Sequence, residues 1–199
     1  MTELKPKLII IAGPNGSGKT SVTHKILQHD WMEGCVYVNP DNIARDVFGD
    51  WNSPEAVLKA ANLASQMRED CLSNRGGLLF ETVLSAPDKL DFIRRAKEVD
   101  YFVRLFFVGT NGPAINASRI AHRVMEGGHD VPITKIISRY SKSIANCALA
   151  AKIADRTYIY DNSVDYADPQ LLFRVTNGKL ENKYRIINNW ANEILKTLE

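Results

Sequence analysis

The chain has 199 residues, of which 45% are hydrophobic and 24% charged. That size and balance allow a sizeable buried core and exclude a disordered or fibrous protein. Its 25 basic and 23 acidic side chains leave a net charge of +2, so no overall field draws it to a long nucleic acid or a membrane surface, and any functional positive charge has to be local. The cysteines Cys35, Cys71 and Cys147 are odd in number and far apart. They offer neither a disulfide framework nor metal-ligand spacing, and suit buried thiols in a reducing, cytoplasmic setting.

Only five apolar residues, Leu8–Ala12, follow the polar N-terminus. That is too short for a signal-peptide core or a membrane span, and its β-branched run predicts a strand buried on both faces. A helix is expected to start in the glycine loop and run through Thr20, Val22, Ile26 and Leu27. Cys35–Val38 is a short second strand, stopped by Asn39-Pro40. Ser53 is the expected N-cap of a long helix beginning near Pro54, with Ala56, Ala60, Leu63, Ala64, Met67 and Cys71 on one face and Gly76-Gly77 at its end.

Gly77–Phe80 is a third strand, a helix starts from Pro87, and Tyr101–Val108 is the most hydrophobic strand. Two helical stretches then span Ala114 to Ala154, joined by Glu126-Gly-Gly-His-Asp-Val-Pro132; the second carries Ile133, Ile136, Ile137, Tyr140, Ile144, Cys147 and Ala148 on one face. Thr157–Tyr160 is a fifth strand, Leu171–Leu180 a hairpin turning at Asn177-Gly178, and a last helix presents Ile186, Ile187, Trp190, Ile194 and Leu195.

This alternation calls for a mostly parallel sheet covered on both faces, a three-layer α/β/α fold. Right-handed crossovers place the carboxyl ends of the strands on one edge, where ligands bind. Gly13, Asn39-Pro-Asp41, Glu81-Thr82, Gly109 and Asp161-Asn162-Ser163 would converge there. Residues 1–199 are expected to form one domain, with a helical lid inserted at about residues 112–152.

Gly13-Pro14-Asn15-Gly16-Ser17-Gly18-Lys19-Thr20 fits the Walker A pattern at every fixed position. Its glycines let backbone N–H groups turn inward around phosphate oxygens, aided by the positive end of the following helix. Lys19 supplies a mobile charge to the β and γ phosphates of ATP or GTP, and the Thr20 hydroxyl is a magnesium ligand; Ser21 and Asn162 complete the expected nucleotide contacts. Asp41 either takes the proton of an attacking hydroxyl or caps the helix beginning near Asn42.

Glu81 closes an apolar strand, as a Walker B carboxylate does, and with Thr82 it would meet either the metal or substrate hydroxyls; Arg45 is a further acceptor contact. Arg119 and Arg123 stand four residues apart on one helix, with Arg139, Lys135 and Lys142 on the next. They are either phosphate-binding lid arginines or a solvated face. Of the four histidines only His129, in the glycine turn, is a site candidate; surface or core roles suit His24, His29 and His122.

Gly-Pro-Asn-Gly-Ser-Gly-Lys-Thr at 13–20, Asn-Pro-Asp at 39–41, Phe-Glu-Thr-x-Leu-Ser at 80–85, Gly-Gly-His-x-Val-Pro at 127–132 and Arg-Tyr at 139–140 resemble the zeta-toxin family, and most closely its compact zeta-like ATPase branch. The resemblance spans residues 8–163. It implies a nucleoside-kinase-like fold with strand order 2-3-1-4-5 and a helical lid. It also implies ATP-dependent phosphorylation, of UDP-N-acetylglucosamine in the characterised toxins. Asp41 then matches the catalytic base, Lys19 and Thr20 the phosphate and magnesium site, Glu81 an acidic substrate contact, and Arg123 and Arg139 the two phosphate-binding arginines.

Three functions follow as expectations: a kinase for a small hydroxyl-bearing metabolite such as a nucleotide sugar, a nucleotide-dependent switch without an acceptor, and a kinase for a nucleoside or another metabolite. An antitoxin that blocks the nucleotide crevice is the partner that the resemblance implies.

Overall fold

The computed structural model describes residues 5–49, 53–128 and 130–198. Strand β1 (Lys7–Ala12) lies between β3 (Gly77–Thr82) and β4 (Phe102–Gly109), parallel to both. Its side chains alternate between the two faces of the sheet. Leu8, Ile10 and Ala12 enter one core with Phe80, Phe107 and Trp190, whereas Ile9 and Ile11 enter another with Val22, Ile26 and Phe106. An unbroken apolar run is what a strand needs when both of its faces are covered.

Helix α1 (Lys19–Leu27) follows β1 and covers the second face. A single 3-10 turn at Asp30–Met32 precedes the edge strand β2 (Cys35–Val38). Helix α2 (Pro40–Asp46) opens on the side chain of Asn39, which accepts from the N–H groups of Asp41 and Asn42. Helix α3 (Pro54–Ser73) is capped by Ser53, as the sequence predicts. Its buried stripe is Ala56, Ala60, Ala64 and Arg68 at helical spacing, while Leu63 is exposed rather than buried. Helix α4 (Asp88–Glu98), the paired helices α5 (Pro113–Met125) and α6 (Ile133–Ile153), and strand β5 (Arg156–Asp161) follow in the expected order. Ile133 and Ile137 of α6 are exposed, not buried as the periodicity suggested.

The sheet order is β2-β3-β1-β4-β5-β6-β7. The expected 2-3-1-4-5 core is therefore present, but the hairpin of β6 (Gln170–Thr176) and β7 (Lys179–Lys183) extends it. Strand β6 pairs antiparallel with β5, which makes a seven-stranded mixed sheet. The hairpin turns where expected, with Asn177 and Gly178 both at positive φ, 48° and 75°.

Helix α7 (Asn189–Leu198) starts later than predicted. Ile186 lies outside it and is 92% exposed, whereas Trp190, Ile194 and Leu195 are buried. A β-carbon at Gly109 would lie 2.4 Å from the Trp190 ring, so the indole rests directly on the end of β4. Among the described residues no helix is long and apolar enough to cross a membrane.

Candidate active site

The strand ends do meet on one edge, although four of the expected post-strand residues lie inside strands: Glu81 and Thr82 end β3, Gly109 ends β4 and Asp161 ends β5. The loop from Gly13 to Gly18 is shaped by backbone that other residues resist. Gly16 and Gly18 have φ of 75° and 86°. A β-carbon at Gly16 would stand 2.5 Å from the Asn116 carbonyl oxygen, and one at Gly18 2.1 Å from the Asn162 amide nitrogen. Left-handed backbone and lack of space both require glycine there.

At the start of α1, Gly18 provides no side-chain cap and the first turn carries no acid. Its N–H groups and the positive end of the helix dipole are therefore left for an incoming anion. Two buried polar atoms of the loop, Asn15 Oδ1 and Ser17 Oγ, lack hydrogen-bond partners among the described residues. Lys19 folds back on the loop, donating from Nζ to the Gly13 and Pro14 carbonyls at 2.9 and 3.0 Å. Burial lowers its pKa to about 8; Glu81 and Asp41 oppose that shift, and Arg123 adds to it. A loop that holds an under-solvated ammonium, a Ser17 hydroxyl without a partner among the described residues and the N–H groups of a helix start fits a polyphosphate.

Two asparagines hold the loop from outside. Asn162 Nδ2 donates to the Ser17 carbonyl at 2.9 Å, and Asn116 Nδ2 of α5 donates to the Asn15 carbonyl at 2.7 Å. Asn162 is buried, braces the loop and does not line the cavity. Ser21 is exposed on α1 and also stands outside the cavity lining. Asn116 was not singled out from the sequence. Its Oδ1 takes the Thr110 hydroxyl, and the Thr110 carbonyl accepts from Tyr140 of α6 at 2.5 Å. Both paired helices are thereby tied to the strand ends.

A cavity of about 620 Å³ opens in front of the loop. Gly16, Gly18, Lys19 and Thr20 line it on one side, with Asp41, Arg45 and Glu81 on another and Arg119 and Arg123 from α5 above. His24 also lines it, although the sequence suggested only a surface or core role. Arg119 is committed: it donates to Asp165 Oδ1 and to the Asn162 carbonyl, at 2.7 and 2.8 Å. Arg45 pairs with Asp46 at 2.6 Å. His129 lies outside the described residues.

A second cavity, of about 380 Å³, shares Lys19, Asn39, Asp41 and Glu81 with the first and adds Thr82, Lys135 and Arg139. Arg139 therefore reaches this adjoining space, whereas Arg123 faces the loop; the two arginines do not share one cavity. Lys142 is exposed and lines neither. Asp41 stands on the wall common to both. Asn39 caps α2, which disposes of the alternative that Asp41 is the cap, and the Asp41 carboxylate has no hydrogen bond or ion pair among the described residues.

Glu81 is held firmly by contrast. Its Oε1 accepts from the Tyr37 hydroxyl at 2.5 Å and from Asn39 Nδ2 at 3.1 Å. Burial and the Glu81 contact push the Tyr37 phenol pKa well up, which keeps it a donor. Thr82 turns its hydroxyl to the Leu84 N–H at 3.0 Å. Of the described residues, no group of His, Cys, Asp and Glu forms a metal cluster.

A protein of Haemophilus influenzae described only as uncharacterised is 28% identical over 137 residues, covering 69% of this chain and 94% of that one. Solved structures share the fold at identities too low to show more. The AvrRxo1-ORF1:AvrRxo1-ORF2 structure with ATP has 17% identity and a TM-score of 0.70, and covers 98% of this chain; the chain spans only 64% of that protein. The PezAT toxin–antitoxin system of Streptococcus pneumoniae has 16% identity and a TM-score of 0.64, covering 100% of this chain and 86% of that one. The family model for zeta toxin matches residues 1–168, and the chain belongs to the zeta-toxin family.

Proposed function

We propose that the protein is an ATP-dependent kinase that transfers the γ-phosphoryl group to a hydroxyl of a small metabolite. One observation carries this: Asp41, a carboxylate with no hydrogen bond or ion pair among the described residues, stands on the wall between the P-loop cavity and a second cavity of about 380 Å³. The ATP phosphates lie in the loop, with N–H groups of Gly16, Gly18, Lys19 and Thr20 donating to them and Lys19 leaving the Gly13 and Pro14 carbonyls to meet the β and γ oxygens. Thr20, exposed in the same cavity, holds magnesium, which neutralises charge on the phosphates when bound.

The acceptor hydroxyl lies beside Asp41, oriented by Glu81 and Thr82. Asp41 takes its proton as the oxygen forms a bond to the γ-phosphorus and the bond from that phosphorus to the β–γ bridging oxygen breaks, which leaves ADP. Arg123 on one side and Arg139 on the other spread the transferred charge. UDP-N-acetylglucosamine is the first acceptor to test, and an antitoxin covering the crevice is the first partner. The PezAT toxin–antitoxin system and the AvrRxo1-ORF1:-ORF2 complex support looking for one.

The direct experiment incubates the protein with labelled ATP, magnesium and a panel of hydroxyl metabolites. Transfer to an acceptor by the wild type and its loss in Asp41→Asn is the expected result. Absence of transfer to any acceptor, with Asp41→Asn retaining every ATP-dependent activity of the wild type, would refute the proposal.

A further inference from the structure

Behind the second cavity lies a third, of about 440 Å³, lined by Asn62, Ser65 and Arg68 of α3, by Ser85 and Lys89, and by Arg139 of α6. It shares Pro40, Glu81, Thr82, Val83 and Arg139 with the second cavity, so the space runs on from Asp41 away from the P-loop. Arg68 is its unusual member. The residue is only 9% exposed, and its guanidinium lies 5.5 Å from the centre of the Phe80 ring. Among the described residues it makes no hydrogen bond and no ion pair.

Both acids that act on Arg68 are engaged elsewhere. Glu69 holds Arg95 through two bonds of 2.8 and 2.7 Å, and Asp88, which also faces this cavity, pairs with Lys89. The cationic side chain is thus mostly buried and, among the described residues, feels Asp88 and Glu69 without being bonded to either, and burial lowers its pKa. Such a group is costly to keep unless something anionic meets it. Its fork of N–H donors matches a carboxylate or a phosphate.

We propose that this third cavity receives an anionic group of the acceptor, a phosphate or a carboxylate, held by Arg68. The acceptor substrates are then acidic hydroxyl compounds, with the reacting hydroxyl at Asp41 and the anion at the far end of the cavity. The identity of the ligand as acceptor rests on the kinase function proposed above; the anion site itself does not.

The test measures calorimetric binding of glucose, gluconate, glucose 6-phosphate and inorganic phosphate to the wild type, Arg68→Gln, Arg68→Lys and Lys19→Ala. The anionic probes are expected to bind and glucose not to. Arg68→Gln should weaken the anions about 10- to 100-fold, the loss of a charge-assisted hydrogen-bonded pair. Arg68→Lys keeps the charge and the packed stem, so it should recover part of that affinity and guards against a folding defect.

Gluconate set against phosphate separates the two anion classes. Equal anion binding by Arg68→Gln, absence of anion binding by the wild type, or binding lost only in Lys19→Ala would each overturn the proposal; the last outcome puts the anion on the P-loop. Phosphoryl transfer from labelled ATP is followed in parallel. Arg68-dependent binding without transfer to any acceptor sinks the kinase function but keeps the anion site. Transfer to neutral and acidic acceptors alike, unaffected by Arg68→Gln, does the reverse.

Discussion

The two walls of the crevice are built on opposite principles. The P-loop wall is backbone: its carbonyls are gripped from outside by Asn116 and Asn162, and its own lysine is folded onto it. The facing wall is side chain. Asp41 and Arg68 reach cavities without a hydrogen bond or ion pair from any described residue, whereas Glu81 is anchored to Tyr37 and Asn39. A polyphosphate is the same whatever the acceptor, so its cradle can be rigid. Under the proposed function the facing wall would owe its chemistry to a few side chains, Asp41 on α2, Arg68 on α3 and Glu81 on β3.

The largest expected effect breaks the facing wall alone. Asp41→Asn should lower the transfer rate by about 10²- to 10⁴-fold while the ATP dissociation constant stays within a factor of about two, read by steady-state kinetics beside calorimetry. An equal fall in both would mean that the walls are not separable. Gly18→Ala should break the other wall. The new methyl has no room beside Asn162, and the αL strain adds about 1–2 kcal/mol, so nucleotide binding and melting temperature should fall together. A smaller loss, about 1 kcal/mol or some fivefold in ATP affinity, is expected of Asn162→Ala, with acceptor KM unchanged.

Lys19 sharpens the comparison through pH. Its folded-state pKa of about 8 lies below the ordinary lysine value of 10.5. Between those values the unfolded chain binds the proton more tightly, so this residue's contribution to stability rises with pH across that window and is lost as pH falls through about 8. Nucleotide phosphates act in the opposite direction and restore the ammonium. Binding near pH 8.5 should therefore take up protons, seen as a binding enthalpy that varies with the ionisation heat of the buffer; a buffer-independent enthalpy counts against it. Tyr37→Phe should have the smallest effect. Freeing Glu81 should raise acceptor KM about 3- to 10-fold, with ATP affinity as before.

What could be read from the sequence was local. Positive-φ glycines followed by lysine and threonine specify the loop through neighbouring residues, and Asn177-Gly178 specifies the hairpin turn, so both were legible. The bracing of the loop was not: Asn116 and Asn162 meet residues 101 and 145 positions away, through contacts that have no periodicity. The hairpin was legible as a hairpin, but its addition to β5 depends on an edge that only the folded sheet creates. Arg68 left a trace that went unread. It continues the stripe of Ala56, Ala60 and Ala64 by one more helical step, a charged residue at a position that periodicity reserves for the core.

Trp190 lies across Gly109 and donates its indole N–H to Asp161 at 3.0 Å. It follows the P-loop by some 170 positions in the chain, counted from Lys19 to Trp190. During translation the loop, both asparagine braces and Asp41 leave the ribosome before the residue that seals the ends of β4 and β5. The cover that Trp190 gives to Gly109 and Asp161 is therefore added after every residue that lines the crevice has been made.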